Sequence, residues 1–436
     1  MSFHALSRAR AGVAIVALCG SAVALWAMAV PLDVRLSSLP IALNTLAVAA
    51  ALGAAAAFPL SLVLAARLPV VERLFGGLDR VYGAHRATAI GVLVLVLAHG
   101  VLLAASRATI SLPAVPSLFA LTIDNWRVLL GTAVGVALSI GMYLTLRGRM
   151  RHELFVWVQR ALGVAFVGAV VHAFALESAK SASLPLTLYL GTLNAAGIVA
   201  FGYRSIFAKA LVPRHDYRVE AVRHLDESIS EVTLEPLTRP LPFTPGQFVF
   251  VTFYGSPLPE EPHPFSMTSG AGERTLKLVI KRLGDYTAKL KLLEPGTRAK
   301  VEGPYGGLSH IRIRNLRQIW IAGGIGITPF LSMARSLDSS GYQIDLFYAT
   351  ETKDQAHFLD ELYEIADRDP RVRVVSVRKD NLGRMSAEDV CGTMRDLVHK
   401  DILICGPPAM MDSLCAQFRR LGVPEERLHA ERFSFG

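Results

Sequence analysis

Cysteine is scarce in this chain, with four among 436 residues (Cys19, Cys391, Cys405 and Cys415) and no CxxC pair. That spacing leaves no ligand set for an iron–sulfur cluster or a structural zinc. Scattered thiols also argue for a reducing compartment and against a disulfide framework. Basic stretches interleaved with aromatics are missing too, so the net charge of +9 does not point to nucleic acid as a partner. Long apolar runs are absent after Pro213, where the chain has the pattern of an ordinary soluble protein. They crowd instead into residues 11–210.

There, segments long enough to cross a bilayer, about 20 residues, can be drawn six times. They are Ala11–Val30, Pro40–Ala66, Thr88–Ser106, Val128–Leu146, Leu154–Leu176 and Leu184–Ala208. Basic residues cluster on alternate loops: Arg8 and Arg10; Arg67, Arg73, Arg80 and Arg86; Arg147, Arg149 and Arg151; Arg204, Lys209 and Arg214. The positive-inside rule then puts both termini and the soluble half in the cytoplasm, with the spans in the cell's inner (plasma) membrane. Ala27-Met28-Ala29 has the form of a signal-peptidase site, but the apolar stretch before it exceeds a usual signal core. Cleavage would leave five spans with the same sidedness.

An ionisable side chain inside a span is costly and invites a functional explanation. His85 stands at the inner end of the third span, His99 further up it, and His172 in the fifth. Fourteen residues separate His85 from His99, which sets them within about 40° of one face and about 21 Å apart. His99 and His172 share a depth toward the outer side. Two uses are open to these imidazoles: hydrogen bonds that hold helices together, or axial ligation of haem iron.

After Pro213, short alternating segments separated by Pro- and Gly-rich turns predict a small antiparallel barrel. Its strands are expected at Tyr217–Arg223, Ile229–Glu235, Gln247–Phe253, Thr275–Lys281 and Arg298–Glu302. His263-Pro264-Phe265-Ser266-Met267-Thr268-Ser269 contains a strand on which Phe265 and Ser266 face opposite ways, so a flat ring could meet a hydroxyl. Lys281 precedes Gly284-Asp285-Tyr286-Thr287, a glycine turn opening a helical stretch at 288–293 and able to offer backbone N–H groups to a pyrophosphate. Gly303-Pro304-Tyr305-Gly306-Gly307 makes a tight turn. From 316 onward strands and helices alternate, the pattern of a doubly wound parallel sheet. Its strands are expected at Gln318–Ala322, Gln343–Ala349, Val372–Val377 and Asp401–Ile404. The first runs into Gly323-Gly324-Ile325-Gly326-Ile327-Thr328-Pro329 and the last into Cys405-Gly406-Pro407, both at the carboxyl edge where such sheets bind dinucleotides.

In that order and spacing these strings resemble the bacterial predicted ferric reductases and, more distantly, NADPH oxidases, over essentially the whole chain. The soluble half is similar to ferredoxin–NADP reductases. The resemblance implies a multi-domain fold: a six-helix transmembrane haem-binding bundle (1–212), an antiparallel β-barrel FAD-binding domain (213–314) and an α/β doubly wound NAD(P)-binding domain (315–436). It implies FAD held by the HPFSMTS, GDYT and GPYG strings, with haem b on His85, His99 and His172. Where the family has a second inner histidine on the fifth span, this chain has Gln159. One firm haem on His99 and His172 is therefore expected, with a doubtful inner one. NADH or NADPH would donate hydride beside Cys405 and Thr328, with Ser266 near flavin N5 and Phe433 stacked on the flavin. Glu351, where relatives often carry arginine, favours NADH, because a carboxylate binds ribose hydroxyls and repels a 2′-phosphate. The acceptor implied on the outer side is ferric iron, oxygen or a periplasmic redox partner. The alternative is a membrane-anchored NAD(P)H:flavin reductase confined to the cytoplasm.

Overall fold

In the computed structural model the described residues are 3–28, 31–111, 125–148, 150, 152–175, 183–338, 341–378, 385–394, 397 and 399–431. The chain divides into two compact units, one from residues 7–75 and 80–212, the other chiefly from Pro213 onward.

The first unit is helical: α1 (Phe3–Ala27), α2 (Leu39–Ala65), α3 (Leu78–Ala108), α4 (Trp126–Leu146), α5 (His152–Ala175) and α6 (Leu184–Phe201). Among the described residues five helices, α2 to α6, are long and apolar enough to span a bilayer. The expected count of six is one more than the described residues show. The first segment, expected over Ala11–Val30, does form a helix as far as Ala27, and its end lies outside the described residues. α1 still packs on the bundle, burying Ala22 completely beside Ala56, Leu186 and Leu190. Small residues dominate the inward face of α2 (Ala47, Ala50, Gly53, Ala54, Ala57, Ser61), which lets neighbouring backbones approach where apolar burial alone gives helices no reason to associate. Gly197 of α6 is a counterpart, since a side chain there would strike Pro59 and Phe166.

The second unit holds two sheets. Six antiparallel strands, β1 (His215–His224), β2 (Ile229–Pro236), β3 (Phe248–Tyr254), β4 (His263–Ser266), β5 (Leu276–Lys281) and β6 (Arg298–Tyr305), run in the order β4-β3-β6-β1-β2-β5. Alternation of buried and exposed positions along β1 and β2 sends Tyr217, Val219, Val232 and Leu234 into one core with Val249, Val251, Phe253 and Phe265. Five parallel strands, β7 (Arg317–Gly323), β8 (Gln343–Thr350), β9 (Val372–Arg378), β10 (Asp401–Cys405) and β11 (Leu428–Ala430), follow in the order β11-β10-β7-β8-β9. β7 and β10 are buried almost throughout, as parallel strands covered on both faces must be. Helices α7 (Thr328–Ala334), α8 (Leu359–Arg368) and α9 (Pro408–Arg420) accompany them. The chain leaves β7 toward β8 and β9, then returns to β10 on the other side of β7. The strand order therefore reverses between β7 and β10, where a doubly wound sheet opens a ligand crevice.

Candidate functional site

Both glycine-rich strings sit at that reversal. Gly324 has φ +53°, in the left-handed region where a side chain is strained. Gly326 lies against the backbone of Cys405 and Gly406, leaving no room for a Cβ. The end of the Met410 side chain fills the space a Cβ would need at Gly323 and at Gly406. Pro329 occupies the first turn of α7, where its missing N–H costs nothing. Thr328 is 4% exposed, and its hydroxyl donates to the Ile325 carbonyl at 3.0 Å. Cys405 is buried, and burial together with Glu431 pushes its thiol well above the ordinary range, so the sulfur stays neutral. Pro407 is exposed beside it. Glu351, like Lys353, stands exposed on the turn after β8.

In the barrel, β4 pairs with β3 so that Ser266 opposes Phe248 and Phe265 opposes Val249. Phe265 turns into the core while Ser266 and Pro264 stay half-buried. His263 stacks on Tyr286, ring centroids 3.5 Å apart, which joins the flavin strand to the Gly284–Thr287 turn. The helix there begins at Asp285, three residues earlier than the sequence suggested. Thr287 Oγ1 accepts from the N–H of Leu283 (2.8 Å) and of Gly284 (3.1 Å), so those donors are spent and the first-turn N–H groups of Asp285 and Tyr286 remain for an anion. The Tyr286 hydroxyl is buried without a hydrogen-bond partner, and burial, reinforced by Glu261, raises its pKa. That orphaned donor is one a bound dinucleotide could satisfy, and Lys281 is exposed at the end of β5, so these residues fit FAD.

Two expected contacts are already used by the fold. Ser269 is fully buried, its hydroxyl accepting from Lys277 N–H at 3.2 Å. Tyr305 donates to Glu302 at 3.0 Å and packs on Phe250. Gly303 and Gly306 have φ of +145° and +104°, which explains glycine at both. Glu431 is the residue that sequence reasoning passed over. Its buried carboxylate accepts from Gly307 N–H (2.9 Å) and Leu308 N–H (3.1 Å), tying the chain beyond β11 to the turn beyond β6. The only signal was its place two residues before Phe433, which lies outside the described residues.

In the helical unit His85, His99 and His172 each use Nδ1 on a neighbour's carbonyl. His85 bonds Ser61 O at 2.9 Å (with Ser61 Oγ at 3.0 Å), His99 bonds Ala47 O at 2.9 Å, and His172 bonds Arg127 O at 2.8 Å. A carbonyl can only accept, so Nδ1 carries the proton and Nε2 keeps its lone pair, the state a metal-ligating imidazole needs. His99 and His172 are within electrostatic reach of each other. Gly131 of α4 clears space for the His172 ring, which any side chain there would overlap. α3, which carries two of the three, is the least buried of the five long helices, 6% of its most apolar window against 39% for α2. These residues fit axial ligation of haem at the level of His99 and His172. At the inner level α5 offers half-buried Gln159. One turn on, Phe201 of α6 occupies the place a side chain at Gly163 would take.

Residues 50–170 match the ferric reductase-like transmembrane component, 215–309 an FAD-binding domain, and 320–416 the oxidoreductase NAD-binding domain. The chain is 27% identical over 235 residues to the ferredoxin–NAD(P)(+) reductase component of the naphthalene 1,2-dioxygenase system of Pseudomonas putida, a match covering 51% of this chain and 66% of that protein. It is likewise 27% identical over 213 residues to the reductase component of the naphthalene 1,2-dioxygenase/salicylate 5-hydroxylase systems of a Ralstonia species, covering 45% and 62%. The chain thus spans somewhat under two thirds of the length of these relatives. Among solved structures, a flavohemoglobin from Malassezia yamatoensis with bound FAD and heme superposes with a TM-score of 0.50 at 18% identity, covering 74% of this chain and 91% of that one, a likeness of fold alone.

Proposed function

We propose that this chain, which joins a ferric reductase-like transmembrane component to an FAD-binding and an NAD-binding domain, is an NAD(P)H-dependent membrane oxidoreductase. It moves electrons from a cytoplasmic nicotinamide, through FAD and a b-type haem, to an acceptor beyond the bilayer. The parts divide at 212 and 314, with the soluble half on the cytoplasmic side of the inner membrane. What carries the reading is the set of three imidazoles held by Nδ1 on backbone carbonyls, each with an Nε2 lone pair to offer.

FAD, when bound, would accept hydride as an electron pair and release electrons singly. A haem held by His99 and His172 would supply a one-electron carrier. The protein's part is placement. Gly284–Thr287 would bind the flavin's phosphates with backbone N–H groups and Lys281, and Ser266 would orient the ring by a hydrogen bond. The glycine loop would admit the nicotinamide's diphosphate to the β7–β10 crevice, and the neutral Cys405 thiol would face the nicotinamide without attacking it. His99 and His172 would hold the haem. The acceptor would be ferric iron, oxygen or a periplasmic redox protein.

Gln159, with Phe201 filling the space at Gly163, supports a second reading in which electrons stop at the flavin and the bundle only anchors the enzyme. Full-length protein purified with supplied haem decides between them. A Soret band that shifts to the reduced form when NADH is added without air supports transmembrane transfer. No bound haem, with flavin still bleached by nucleotide, leaves the anchored reductase.

A further inference from the structure

The loop that follows the flavin strand is gripped by one face of the helix that follows the glycine loop. Arg335, at the carboxyl end of α7, places Nε and Nη2 on the two oxygens of Glu361 in α8, at 2.6 and 2.8 Å. Its remaining arm, Nη1, donates to the Thr268 carbonyl at 2.7 Å. Ser332, one turn earlier, donates to the Ser269 carbonyl at 2.7 Å, and Ser336 accepts from Ala271 N–H at 2.7 Å. Positions 332, 335 and 336 share a helix face by their i, i+3, i+4 spacing. All three close on a segment that begins two residues after Ser266. Gly270 permits the approach, because a Cβ there would stand 3.1 Å from the Arg335 carbonyl oxygen.

A guanidinium bonded on both edges cannot slide toward one partner without losing the other. The fork on Glu361 fixes its plane, and the Arg335 side chain is only 15% exposed, so water does not readily replace a broken bond. At its other end α7 starts from Thr328, in the glycine loop packed against Cys405. One short helix thus connects the nucleotide loop to the flavin strand's continuation. We propose that Arg335, braced by Glu361, is a positioning residue that sets the separation of flavin and nicotinamide for hydride transfer while touching neither. This rests on the electron-transfer function argued above, in which the dihydronicotinamide is oxidised as the flavin is reduced.

The test is anaerobic stopped-flow mixing of purified full-length protein with NADH or NADPH. Displacement of reacting groups by an ångström costs about a hundredfold in rate. Arg335→Met is therefore expected to slow flavin reduction at saturating nucleotide about ten- to a hundredfold, weaken the long-wavelength charge-transfer band between the rings, and leave KM within about twofold. Arg335→Lys, which keeps the charge but has one nitrogen where arginine has three, should recover part of the rate, and Glu361→Gln should fall between. Unchanged flavin reduction in Arg335→Met overturns the proposal, as does a raised KM with kcat intact, which would make Arg335 a nucleotide-binding group. Hydrogen exchange at 268–273 needs no turnover. Faster exchange in Arg335→Met is expected, and unchanged exchange counts against the clamp. If the unaltered chain fails to bleach its flavin with either nucleotide, the electron-transfer function fails, and exchange alone still judges the clamp.

Discussion

The carboxylate of Glu431 accepts the backbone N–H of Gly307 at 2.9 Å, with the Leu308 N–H on its second oxygen at 3.1 Å. One buried side chain beyond the last strand thereby completes a turn in the flavin barrel more than a hundred residues earlier. Glu431→Gln keeps the shape but turns one acceptor into a donor facing another donor. Losing one charge-assisted bond in a buried setting costs about 1–3 kcal/mol. The expected result is a lower unfolding midpoint and weaker FAD retention, measured by thermal denaturation and by flavin released on dilution. Glu431→Asp, one methylene shorter, should behave similarly because its oxygens no longer reach both N–H groups.

The haem assignment predicts unequal histidines. His99→Ala or His172→Ala should abolish the low-spin bis-imidazole spectrum, while His85→Ala should leave it in place. Reduced-minus-oxidised difference spectra of purified variants make the comparison. A bis-imidazole signal that survives loss of His172 would sink the pairing.

Gly131 offers a test that leaves every histidine untouched. Its missing side chain is the room in which the His172 ring stands. Gly131→Val should push that ring off its bond to the Arg127 carbonyl and lower haem occupancy in an otherwise folded protein. Gly191→Ala in α6, where nothing stands within 4 Å of an added Cβ, is the matched control and should bind haem normally.

His310 predicts a pH dependence. It is 1% exposed, its Nδ1 lacks a hydrogen-bond partner, and burial pulls its pKa down to about 4, a little of which Asp338 restores. The folded protein therefore binds this proton less readily than the unfolded chain. Stability is whole above the unfolded value near 6.5 and is lost as pH falls from there toward 4. The full loss is roughly 3 kcal/mol, from about 1.4 kcal/mol per pKa unit. Denaturant midpoints between pH 7.5 and 5 should show the decline. His310→Phe, which keeps a ring against Trp320 and Tyr342, should flatten it.

Nucleotide choice is tested at Glu351. Turnover with NADH should exceed that with NADPH, and Glu351→Arg should shift the ratio toward NADPH by supplying a partner for the 2′-phosphate. A wild-type preference for NADPH that ignores the substitution would refute the role given to this carboxylate.

Much of the fold was legible because its signals are periodic. Four strands of the parallel sheet and five of the barrel fall within a residue or three of their expected ends, since alternation and apolar runs persist across each strand. The first apolar segment does form a helix, Phe3–Ala27, but the end of the expected Ala11–Val30 span lies outside the described residues. At the site, the glycine strings announced themselves through backbone demands that glycine alone meets. The partners of the histidines could not be read, because a carbonyl acceptor such as Ala47 O or Arg127 O leaves no mark on residue type. Glu431 and Arg335 were hidden for another reason: each acts on backbone atoms far away in the chain, and only the folded topology brings them there.

Ala47 and Ser61 are fourteen residues apart on α2, the same interval that separates His99 from His85 on the antiparallel α3. The two helices therefore mesh like a pair of racks at two teeth. Deleting a single residue between 85 and 99 would turn one imidazole about 100° away from its carbonyl while the other stayed engaged. Inserting seven residues would restore the facing but carry the imidazole about 10.5 Å along the axis past its carbonyl, so this stretch should be far less forgiving of insertions than of substitutions.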